Sequence, residues 1–206
     1  MLLPINAKNP EPRKIEKALE LLKKGAIIAY PTGTVYGIGC DIMNKKAIAR
    51  VYRIKGIDRK KPLSFLCYDL SDLAKYARVD NAAYRIMKRL VPGPYTFILE
   101  ATKEVPKLVL SKRNTVGIRV PDHPVALALL RGLGNPIIST SASRDGVMLV
   151  DAPGIESSFH GLDLILDAGP ADNEPSTIMA IAENGEIDVL RKGSGPLDNV
   201  VRKTPE

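Results

Sequence analysis

Tryptophan is absent from this 206-residue chain, and the other aromatic residues are scarce, since seven tyrosines and three phenylalanines make up 5% of the sequence. Proteins that recognise single-stranded nucleic acids generally stack the bases on aromatic side chains, so this composition disfavours that mode of binding. Recognition of a folded nucleic acid through its shape and its phosphates stays open.

Histidine and cysteine are also few, with two of each. Cys40 and Cys67 lie far apart in apolar stretches, and neither has a metal-ligand spacing with His123 or His160. We therefore predict that both cysteines are core residues, not a disulfide or metal ligands, and we predict no metal site in the protein itself. A Ser-His or Cys-His nucleophilic pair is likewise disfavoured.

The sequence has no apolar run long enough for a signal peptide or a membrane span, and Pro4 interrupts the opening leucines. We expect a cytoplasmic protein with no membrane partner. The common nucleotide fingerprints are missing too: the glycines of the predicted loop 32–39 fit neither G-x-G-x-x-G nor a Walker loop. Catalysis, if present, should rest on positioning and electrostatics.

Positive charge is concentrated in one segment. Residues 45–61 contain eight Lys or Arg and a single Asp, a balance equal to the net charge of +7, whereas the rest of the chain has 22 basic and 22 acidic residues. Such a field attracts phosphate, carboxylate or nucleic acid. About half of these charges fit the solvated face of an amphipathic helix capped by Asn44, but residues 55–61 fall in a loop before a strand, where sites are common.

Hydrophobic periodicity predicts one α/β domain over residues 1–206. Early helices and a late hairpin imply an α+β type of mixed sheet flanked by helices, not a purely parallel sheet. The predicted helices are 12–24, 44–55 and 124–133, with shorter ones beginning at Ser71 and Asp80. The predicted strands are 26–30, 64–68, 95–101, 115–120, 136–140, 162–166, 176–182 and 187–191.

Seven segments spread over nearly the whole chain form a pattern. They are Y-P-T-x-T-V-Y-G-x-G from Tyr30, the basic loop from Lys55 to Leu63, P-G-P-x-T-F from Pro92, G-I-R-V-P-x-H-P from Gly117, S-T-S-A from Ser139, E-P-S-T-I from Glu174 and L-R-x-G from Leu190. In this order they resemble the motifs of the YrdC family.

The resemblance implies an open, twisted α/β sheet with a deep, basic, concave cavity, and the activity of threonylcarbamoyl-AMP synthase. This nucleotidyltransferase uses ATP, L-threonine and bicarbonate, releases pyrophosphate, and makes the intermediate for threonylcarbamoyladenosine beside the tRNA anticodon. Mg²⁺ would be bound through the ATP phosphates. RNA or tRNA and other tRNA-modification proteins are the implied partners.

The resemblance also assigns site residues. Threonine would be bound by Thr32, Arg119, Ser176 and Thr177. ATP would be bound by Lys55, Arg59, Lys61, Thr115, Ser141, Ser143 and Arg191. The catalytic groups would be Lys55, Lys61 and Arg119, because arginine and lysine can steady charge on the phosphates and arginine pairs with a carboxylate in a geometry that lysine cannot copy. The alternative is structural: Thr32 and Ser141 as turn or cap hydroxyls, and Arg119 as a strand residue facing water.

Three positions depart from the family pattern. Ile57 replaces the arginine of Lys-x-Arg, Ser143 replaces the asparagine of Ser-x-Asn, and Gly33 replaces an acidic residue. Arg59, two residues late, is a candidate substitute for the missing arginine. This variant pattern is similar to the YciO branch of the family.

Two other functions stay open at this stage. One is a protein that binds double-stranded RNA or tRNA through the same basic cavity. The other is an enzyme that hydrolyses or transfers a related acyl adenylate.

Overall fold

The computed structural model describes residues 1–182 and 185–200, so the predicted domain of residues 1–206 extends past the described chain. Six helices flank the sheet in this part of the chain: α1 (Pro12–Lys23), α2 (Lys45–Lys55), α3 (Leu70–Tyr76), α4 (Asn81–Leu90), α5 (Pro124–Leu133) and α6 (Ala152–Ser158). Short 3-10 turns cover Lys107–Val109 and Leu197–Asn199.

Ten strands form one sheet: β1 (Leu2–Pro4), β2 (Ile28–Pro31), β3 (Tyr36–Gly39), β4 (Ser64–Leu66), β5 (Tyr95–Glu100), β6 (Thr115–Arg119), β7 (Ile137–Ser141), β10 (Leu164–Asp167), β11 (Thr177–Ile181) and β12 (Ile187–Arg191). A separate hairpin pairs β8 (Ser143–Arg144) with β9 (Val147–Met148). The strand order is β1-β10-β2-β3-β7-β4-β6-β5-β11-β12. Both parallel and antiparallel pairs occur, and β11 and β12 form an antiparallel hairpin, so the mixed sheet and the late hairpin are confirmed.

The helices cover the two faces of the sheet unequally. Helices α2, α3, α4 and α6 bury apolar residues against one face, together with the inward residues of most strands. Helices α1 and α5 pack on the other face, where they meet Ile28, Tyr30 and Leu66. The prediction that Cys40 and Cys67 are core residues is confirmed, since both are buried and free.

The face covered by α1 and α5 is left open further along the sheet. Successive side chains of a strand alternate between faces. Phe97 and Ile118 belong to the core under α2 to α4, so their neighbours Thr96 and Arg119 lie on the opposite face, beyond the reach of the α1 and α5 core. This uncovered region carries the candidate site.

The ends of α2 follow from two residues. The side chain of Asn44 accepts a hydrogen bond of 2.9 Å from the backbone N–H of Ala47, which satisfies one of the free donors of the first turn. Gly56 ends the helix in the left-handed conformation (φ 62°), which glycine adopts without a steric penalty. The predicted helix 44–55 and its cap are confirmed.

Five elements were not predicted, namely β1, β3, β8, β9 and α6. The segment 32–39, predicted as a loop, contains β3, and β1 forms despite Pro4. The polar stretch 143–154, predicted without regular structure, contains the β8–β9 hairpin and the start of α6. Strand β3 could not be predicted from strand propensity, because it contains glycines, which weaken a strand. The structure nevertheless requires glycine at position 39, since a Cβ there would lie 1.5 Å from the carbonyl oxygen of Ile138 on the neighbouring strand.

Helix α6 was not predicted from the sequence because its composition is polar. The Asp151 side chain accepts a 2.8 Å hydrogen bond from the N–H of Gly154, and a proline stands in its first turn. None of the helices in the described part of the chain has both the length and the apolar character needed to cross a membrane.

Candidate active site

A cavity of about 380 Å³ occupies the uncovered region of the sheet. Its charged lining residues are Lys61, Arg119 and Arg191, and no Asp or Glu lines it among the described residues. The other lining residues are Thr32, Thr34, Val35, Tyr36, Gly37, Ile57, Pro62, Leu63, Ser64, Leu66, Thr96, Ser139, Thr140, Ser141, Ser143, Met148, Ser176 and Ile178. A concave site with cations and hydroxyl groups and no carboxylates attracts anionic ligands.

Arg119 is the buried cation of this cavity, with 5% of its surface exposed. Its Nε donates to the carbonyl of Gly93 (2.9 Å), Nη1 to the hydroxyl of Thr34 (2.6 Å) and Nη2 to the carbonyl of Thr32 (2.9 Å). These partners are neutral, and no described carboxylate forms an ion pair with the guanidinium. Because a guanidinium has five N–H donors, two are left for a ligand.

Burial lowers the pKa of Arg119 to about 10, so it keeps its charge at neutral pH. A fixed guanidinium without a carboxylate is a ready site for an anion such as the carboxylate of an amino acid. The sequence-based alternative that Arg119 faces water is wrong.

The turn between β2 and β3 orients the threonine hydroxyls beside Arg119. Thr32 donates to the carbonyl of Val35 (2.7 Å) and shares a 3.2 Å hydrogen bond with Thr34. Gly33, at the tip, has φ 82°, and a Cβ there would approach the carbonyl oxygen of Asp122 to 2.3 Å. In this backbone conformation a side chain at position 33 would clash with the backbone of Asp122, so glycine suits this turn where the family pattern has an acidic residue.

The opposite wall comes from β5 and the segment leading into β11. The hydroxyls of Thr96 and Ser176 share a 2.8 Å hydrogen bond, and both residues are buried. Arg191 of β12 donates from Nη2 to the carbonyl of Ser176 (2.8 Å), and burial lowers its pKa. The cavity therefore has a guanidinium at each side.

Lys55, the last residue of α2, acts on the backbone next to the cavity. Its Nζ donates to the carbonyls of Ser141 (2.9 Å) and Ser143, and it lies 4.7 Å from the ring centroid of Phe159. Burial, followed by the charges of Lys61 and Arg144, lowers the pKa of Lys55 to about 8. Lys55 thus ties the end of α2 to the strand β7 and the hairpin that line the cavity.

The structure brings most of the predicted site residues together. Seven line the cavity: Thr32, Lys61, Arg119, Ser141, Ser143, Ser176 and Arg191. Lys55 contacts the lining residues Ser141 and Ser143 through their carbonyls.

Besides Lys55, three predicted site residues lie outside the lining. Thr115 begins β6, at the far end from Arg119, and its hydroxyl pairs with that of Ser111 (2.7 Å). The buried Thr177 hydroxyl donates to the carbonyl of Gly195 (2.7 Å), and Arg59 is exposed. Their predicted ligand contacts receive no support from this geometry.

Several hydroxyl groups of the cavity were not predicted as site residues, among them Thr34, Ser64 and Ser139. A signal was present in β7, because its two buried isoleucines are followed by three consecutive hydroxyl residues, from Ser139 to Ser141. A run of polar residues at the end of an otherwise buried strand indicates a surface that faces a site.

The described residues contain no group of three or more His, Cys, Asp or Glu that could hold a metal ion. Burial raises the pKa of the Cys40 thiol to about 12, and it also raises the pKa of the Cys67 thiol well above its usual range, so both thiols are protonated at neutral pH.

Known proteins share this architecture and sequence. Residues 20–193 match the model of the Sua5/YciO/YrdC family, described as "Telomere recombination". Escherichia coli K12 YciO, named as an uncharacterized protein, is 40% identical over 195 residues, covering 93% of this chain and 94% of YciO. The crystal structure of E. coli YciO superimposes with a TM-score of 0.92 at 38% identity, covering 98% of this chain and 99% of that one.

Two further relatives carry a functional description. The threonylcarbamoyl-AMP synthase of Mus musculus is 29% identical over 202 residues, covering 92% of this chain and 72% of that protein. The crystal structure of P. abyssi Sua5 complexed with L-threonine has a TM-score of 0.90 at 28% identity, covering 97% of this chain and 59% of that one. The match over residues 20–193 and the identity with YciO establish that the chain belongs to the Sua5/YciO/YrdC family.

Proposed function

We propose that this chain is a nucleotidyltransferase of the threonylcarbamoyl-AMP synthase type, which joins a carbamate derived from L-threonine and bicarbonate to the AMP part of ATP. The observation that carries the proposal is Arg119, a buried guanidinium with free donors and no carboxylate partner among the described residues, in a cavity whose charged lining residues are all cationic. Family membership and the synthases among the relatives support it.

Arg119 would bind the threonine carboxylate. Two N–H groups in one plane match two carboxylate oxygens, and the hydroxyls of Thr32 and Ser176 are available for the polar groups of the amino acid. The P. abyssi Sua5 crystallised with L-threonine makes the same ligand class reasonable here. Thr177, which faces away from the lining, would act only by shaping the segment that carries Ser176.

The phosphates of ATP would lie toward Lys61, Ser141, Ser143 and Arg191. These groups come from different strands and loops, so they can surround a polyphosphate from several sides. Lys55 would act mainly by holding the backbone of residues 141–143 in place, with one N–H left for a phosphate oxygen. Mg²⁺ would accompany the phosphates and be held by them.

The proposed reaction has two steps. The threonine amine and bicarbonate give a carbamate and water. A carbamate oxygen then attacks the α-phosphorus of ATP, the bond from the α-phosphorus to the bridging oxygen breaks, and pyrophosphate leaves. The protein would contribute positioning and stabilisation of charge on the phosphates, with no covalent intermediate on a side chain.

The direct test is incubation of the protein with ATP, labelled bicarbonate and a panel of amino acids. We expect a threonine-dependent carbamoyl adenylate together with pyrophosphate, and calorimetry should show that ATP and threonine occupy the cavity at the same time. Arg119→Met should abolish threonine binding, whereas Arg131→Met, which removes an exposed arginine from α5, should not. Strict competition between ATP and threonine would contradict the shared cavity.

A second candidate function uses the same cavity for hydrolysis or transfer of a related acyl adenylate. The observation that favours it is Ile57, which lines the cavity at the position of the family arginine and offers no donor to the departing pyrophosphate. The experiment is to supply chemically prepared threonylcarbamoyl-AMP. Its consumption without pyrophosphate, faster than its synthesis from ATP under matched conditions, would favour this second function over the first.

A further inference from the structure

Phe159 is a buried aromatic residue that packs beside the candidate active site without lining its cavity. Helix α6 ends at this residue, whose backbone N–H donates to the carbonyl of Ile155 (2.9 Å), and 3% of its surface is exposed. Its side chain belongs to the core under one face of the sheet. Burial in a core needs no further explanation, but the groups that meet this ring from two sides of the chain are cations.

Two cations from different elements lie over the ring of Phe159. The Nζ of Lys55, at the end of α2, is 4.7 Å from the ring centroid, and the Cζ of Arg144, in β8, is 5.8 Å from it. These are the two cation–π contacts in the described part of the chain. The face of an aromatic ring carries partial negative charge and attracts both ammonium and guanidinium groups, so one ring can hold both cations.

The two cations have no acidic partner. No described carboxylate forms an ion pair with Lys55 or Arg144. Burial, then the charge of Lys61 and then that of Arg144 lower the pKa of Lys55 to about 8, so Arg144 is close enough to repel the ammonium. The ring of Phe159 therefore takes the role that a carboxylate would otherwise have. It does so without placing an anion beside a cavity that is proposed to bind phosphates.

Lys55 connects the ring to the wall of the cavity. Its Nζ donates to the carbonyls of Ser141 (2.9 Å) and Ser143, and both serines line the cavity. Lys55 and Phe159 do not line it, so the ring reaches the site through the ammonium group. A lysine ammonium lies at the end of a long, flexible side chain. It needs fixed neighbours to stay on two carbonyls, and the buried ring is such a neighbour.

Arg144 connects the same ring to the β8–β9 hairpin. Its Nη1 donates to the carbonyl of Ser158 (2.6 Å), the residue before Phe159. The other strand of the hairpin carries Met148, which lines the cavity. Helix α6 therefore holds one side of the hairpin through a ring contact and a hydrogen bond to the same arginine.

The loop after α2 makes the placement of Lys55 more important. Ile57 stands where the family pattern has an arginine, and Arg59 is exposed and outside the cavity lining. Lys61 is the cation of this loop that lines the cavity. A site with one loop cation depends more on a correctly held neighbouring ammonium than a site with two.

We propose that Phe159 is a positioning residue for the nucleotide end of the cavity: its ring holds the ammonium of Lys55 and the guanidinium of Arg144, and so fixes this part of the cavity wall. The effect on phosphate binding rests on the proposed function, whereas the contact with Lys55 does not. The alternative is a core residue that contributes stability alone. The two roles predict different changes in the titration of Lys55.

The main variant carries a ring-trifluorinated phenylalanine in place of Phe159. Fluorine withdraws charge from the ring face and nearly keeps its shape, so the attraction for cations falls while the packing is retained. The control has the same replacement at Phe65, a fully buried ring without a cation–π contact in the described part of the chain. A second variant, Arg144→Gln, removes the like charge and keeps the ring. Thermal melting checks that each variant folds.

The titration of Lys55 is followed by NMR of protein isotope-labelled at the lysine ε-carbons, and Lys55→Arg identifies its signal. The fluorinated ring at position 159 should lower the pKa of Lys55, so that the ammonium loses its proton about two- to fivefold more readily. Arg144→Gln should raise this pKa, because a repelling charge is lost. The fluorinated control at position 65 should leave it unchanged.

Phosphate binding is measured by calorimetry with ATP and with inorganic tripolyphosphate, at a pH near the lowered pKa of Lys55. We expect the variant at position 159 to bind both ligands about two- to fivefold more weakly, because less of Lys55 is charged and held in place. Its threonine affinity should not change. Where adenylate is formed, the KM for ATP should rise more than kcat falls.

A Lys55 titration that is the same in the native chain and in the fluorinated Phe159 variant would overturn the inference, whatever the protein synthesises. A lowered pKa with unchanged binding of ATP and tripolyphosphate would overturn the positioning role, as would a native chain that binds neither ligand. Weaker phosphate binding by the variant of a chain that makes no adenylate would refute the proposed function and leave this inference standing.

Discussion

Two regions of the same face of the sheet carry side chains that point in the same direction, but one region forms part of the core and the other lines the cavity. Under α1 and α5, the outward residues of the strands are apolar, as with Ile28 and Leu66, and they form a closed core. Further along, the corresponding residues of β5 and β6 are Thr96 and Arg119, and a cavity replaces the helices. Because the sheet is continuous through both regions, the difference between core and cavity comes from the side chains and from the helices that pack against them.

The energetics of the two regions differ accordingly. Full burial of a leucine such as Leu22 or Leu129 contributes about 1.5–3 kcal/mol through apolar surface removed from water. Burial of Arg119 has a desolvation cost, visible in its lowered pKa, which its three hydrogen bonds to neutral acceptors offset only in part. The covered region therefore contributes stability, whereas the open region has a cost in stability and is the region proposed to bind ligands.

The largest expected effect comes from comparing the loss of a cavity residue with the loss of a core residue. Arg119→Met should lower kcat/KM about 100- to 1,000-fold, because it removes the guanidinium proposed to bind the threonine carboxylate beside the reacting groups. Its stability should fall by only about 1 kcal/mol, since Thr32 and Thr34 line a polar cavity that can admit water.

The matched variant is Leu129→Ala, which should cost about 2–5 kcal/mol of stability and leave kcat/KM for the proposed reaction nearly unchanged in the folded protein. Urea unfolding and initial rates measure both quantities. The comparison fails if Arg119→Met is as destabilising as Leu129→Ala while threonine still binds.

The next effect concerns Lys55, which ties α2 to the cavity wall. Lys55→Met should raise the KM for ATP more than it lowers kcat, because the backbone of residues 141–143 would lose its positioning group. We expect a loss of about tenfold in kcat/KM, equivalent to about 1.4 kcal/mol. A variant that loses kcat alone would instead place Lys55 on the reacting phosphates.

The activity of the native chain should depend on the charge of Lys55, and therefore on pH. Lys55 has a pKa lowered to about 8 in the folded state, so its charge and the associated activity should decline as the pH rises through 8. Stability should respond in the opposite direction. Between about pH 8 and the ordinary pKa of 10.5 the unfolded chain binds more protons at this group, so its contribution to stability rises with pH.

The Lys55→Arg variant gives the control for this titration, because arginine keeps its charge over the whole range. The decline near pH 8 should disappear from its profile. Rate profiles and unfolding curves between pH 7 and 10 measure the two trends. A decline that persists in Lys55→Arg belongs to another group.

A smaller effect, of opposite sign, is expected at the positions that depart from the family pattern. Ile57→Arg would place a phosphate donor in the cavity, and Ser143→Asn would add an amide to the cavity wall that is proposed to contact the phosphates. The double variant should make up to about tenfold more adenylate, a gain of about 1.4 kcal/mol. Because both groups would act on one nucleotide, their gains should couple, which a double-mutant cycle measures.

Ile57 also packs against the core, so Ile57→Arg carries a cost in stability that thermal melting will show. If both single variants fold normally and the double variant makes no more adenylate, the departures indicate a different reaction. The second candidate function, on preformed adenylates, would then be the better description.

The sequence predicted the parts of the fold that local chemistry determines. Asn44 and Gly56 mark the ends of α2 because capping and the left-handed conformation act within a few residues. Strand β3 could not be predicted in this way. Its glycines argue against a strand locally, and their reason is the close approach of β7, which is distant in sequence.

The sequence predicted the residue types of the candidate site better than it predicted which of those residues point into the cavity. Arg119 and Ser176 were placed among the site residues by motif, and both line the cavity. Thr115 and Thr177 come from the same motifs, but one lies at the wrong end of its strand and the other on the opposite face from Ser176. Which end of a strand reaches the cavity, and which of its side chains face the cavity, depend on the neighbouring strands. A motif alone does not specify either of them.

The smallest expected effect is at the exposed cations of α2, which test whether charge alone is enough for nucleotide binding. Lys45 and Lys46 are exposed in the first turn of the helix, away from the cavity lining, so water and salt screen them. Lys45→Ala with Lys46→Ala should change ATP affinity by less than about twofold, within the usual range for surface substitutions. Calorimetry at two salt concentrations, with Lys55→Met alongside, makes the comparison direct. If the helix pair costs as much ATP affinity as Lys55, nucleotide binding follows the overall field of residues 45–61, and the distinction between the open cavity and the rest of the surface does not hold for its cations.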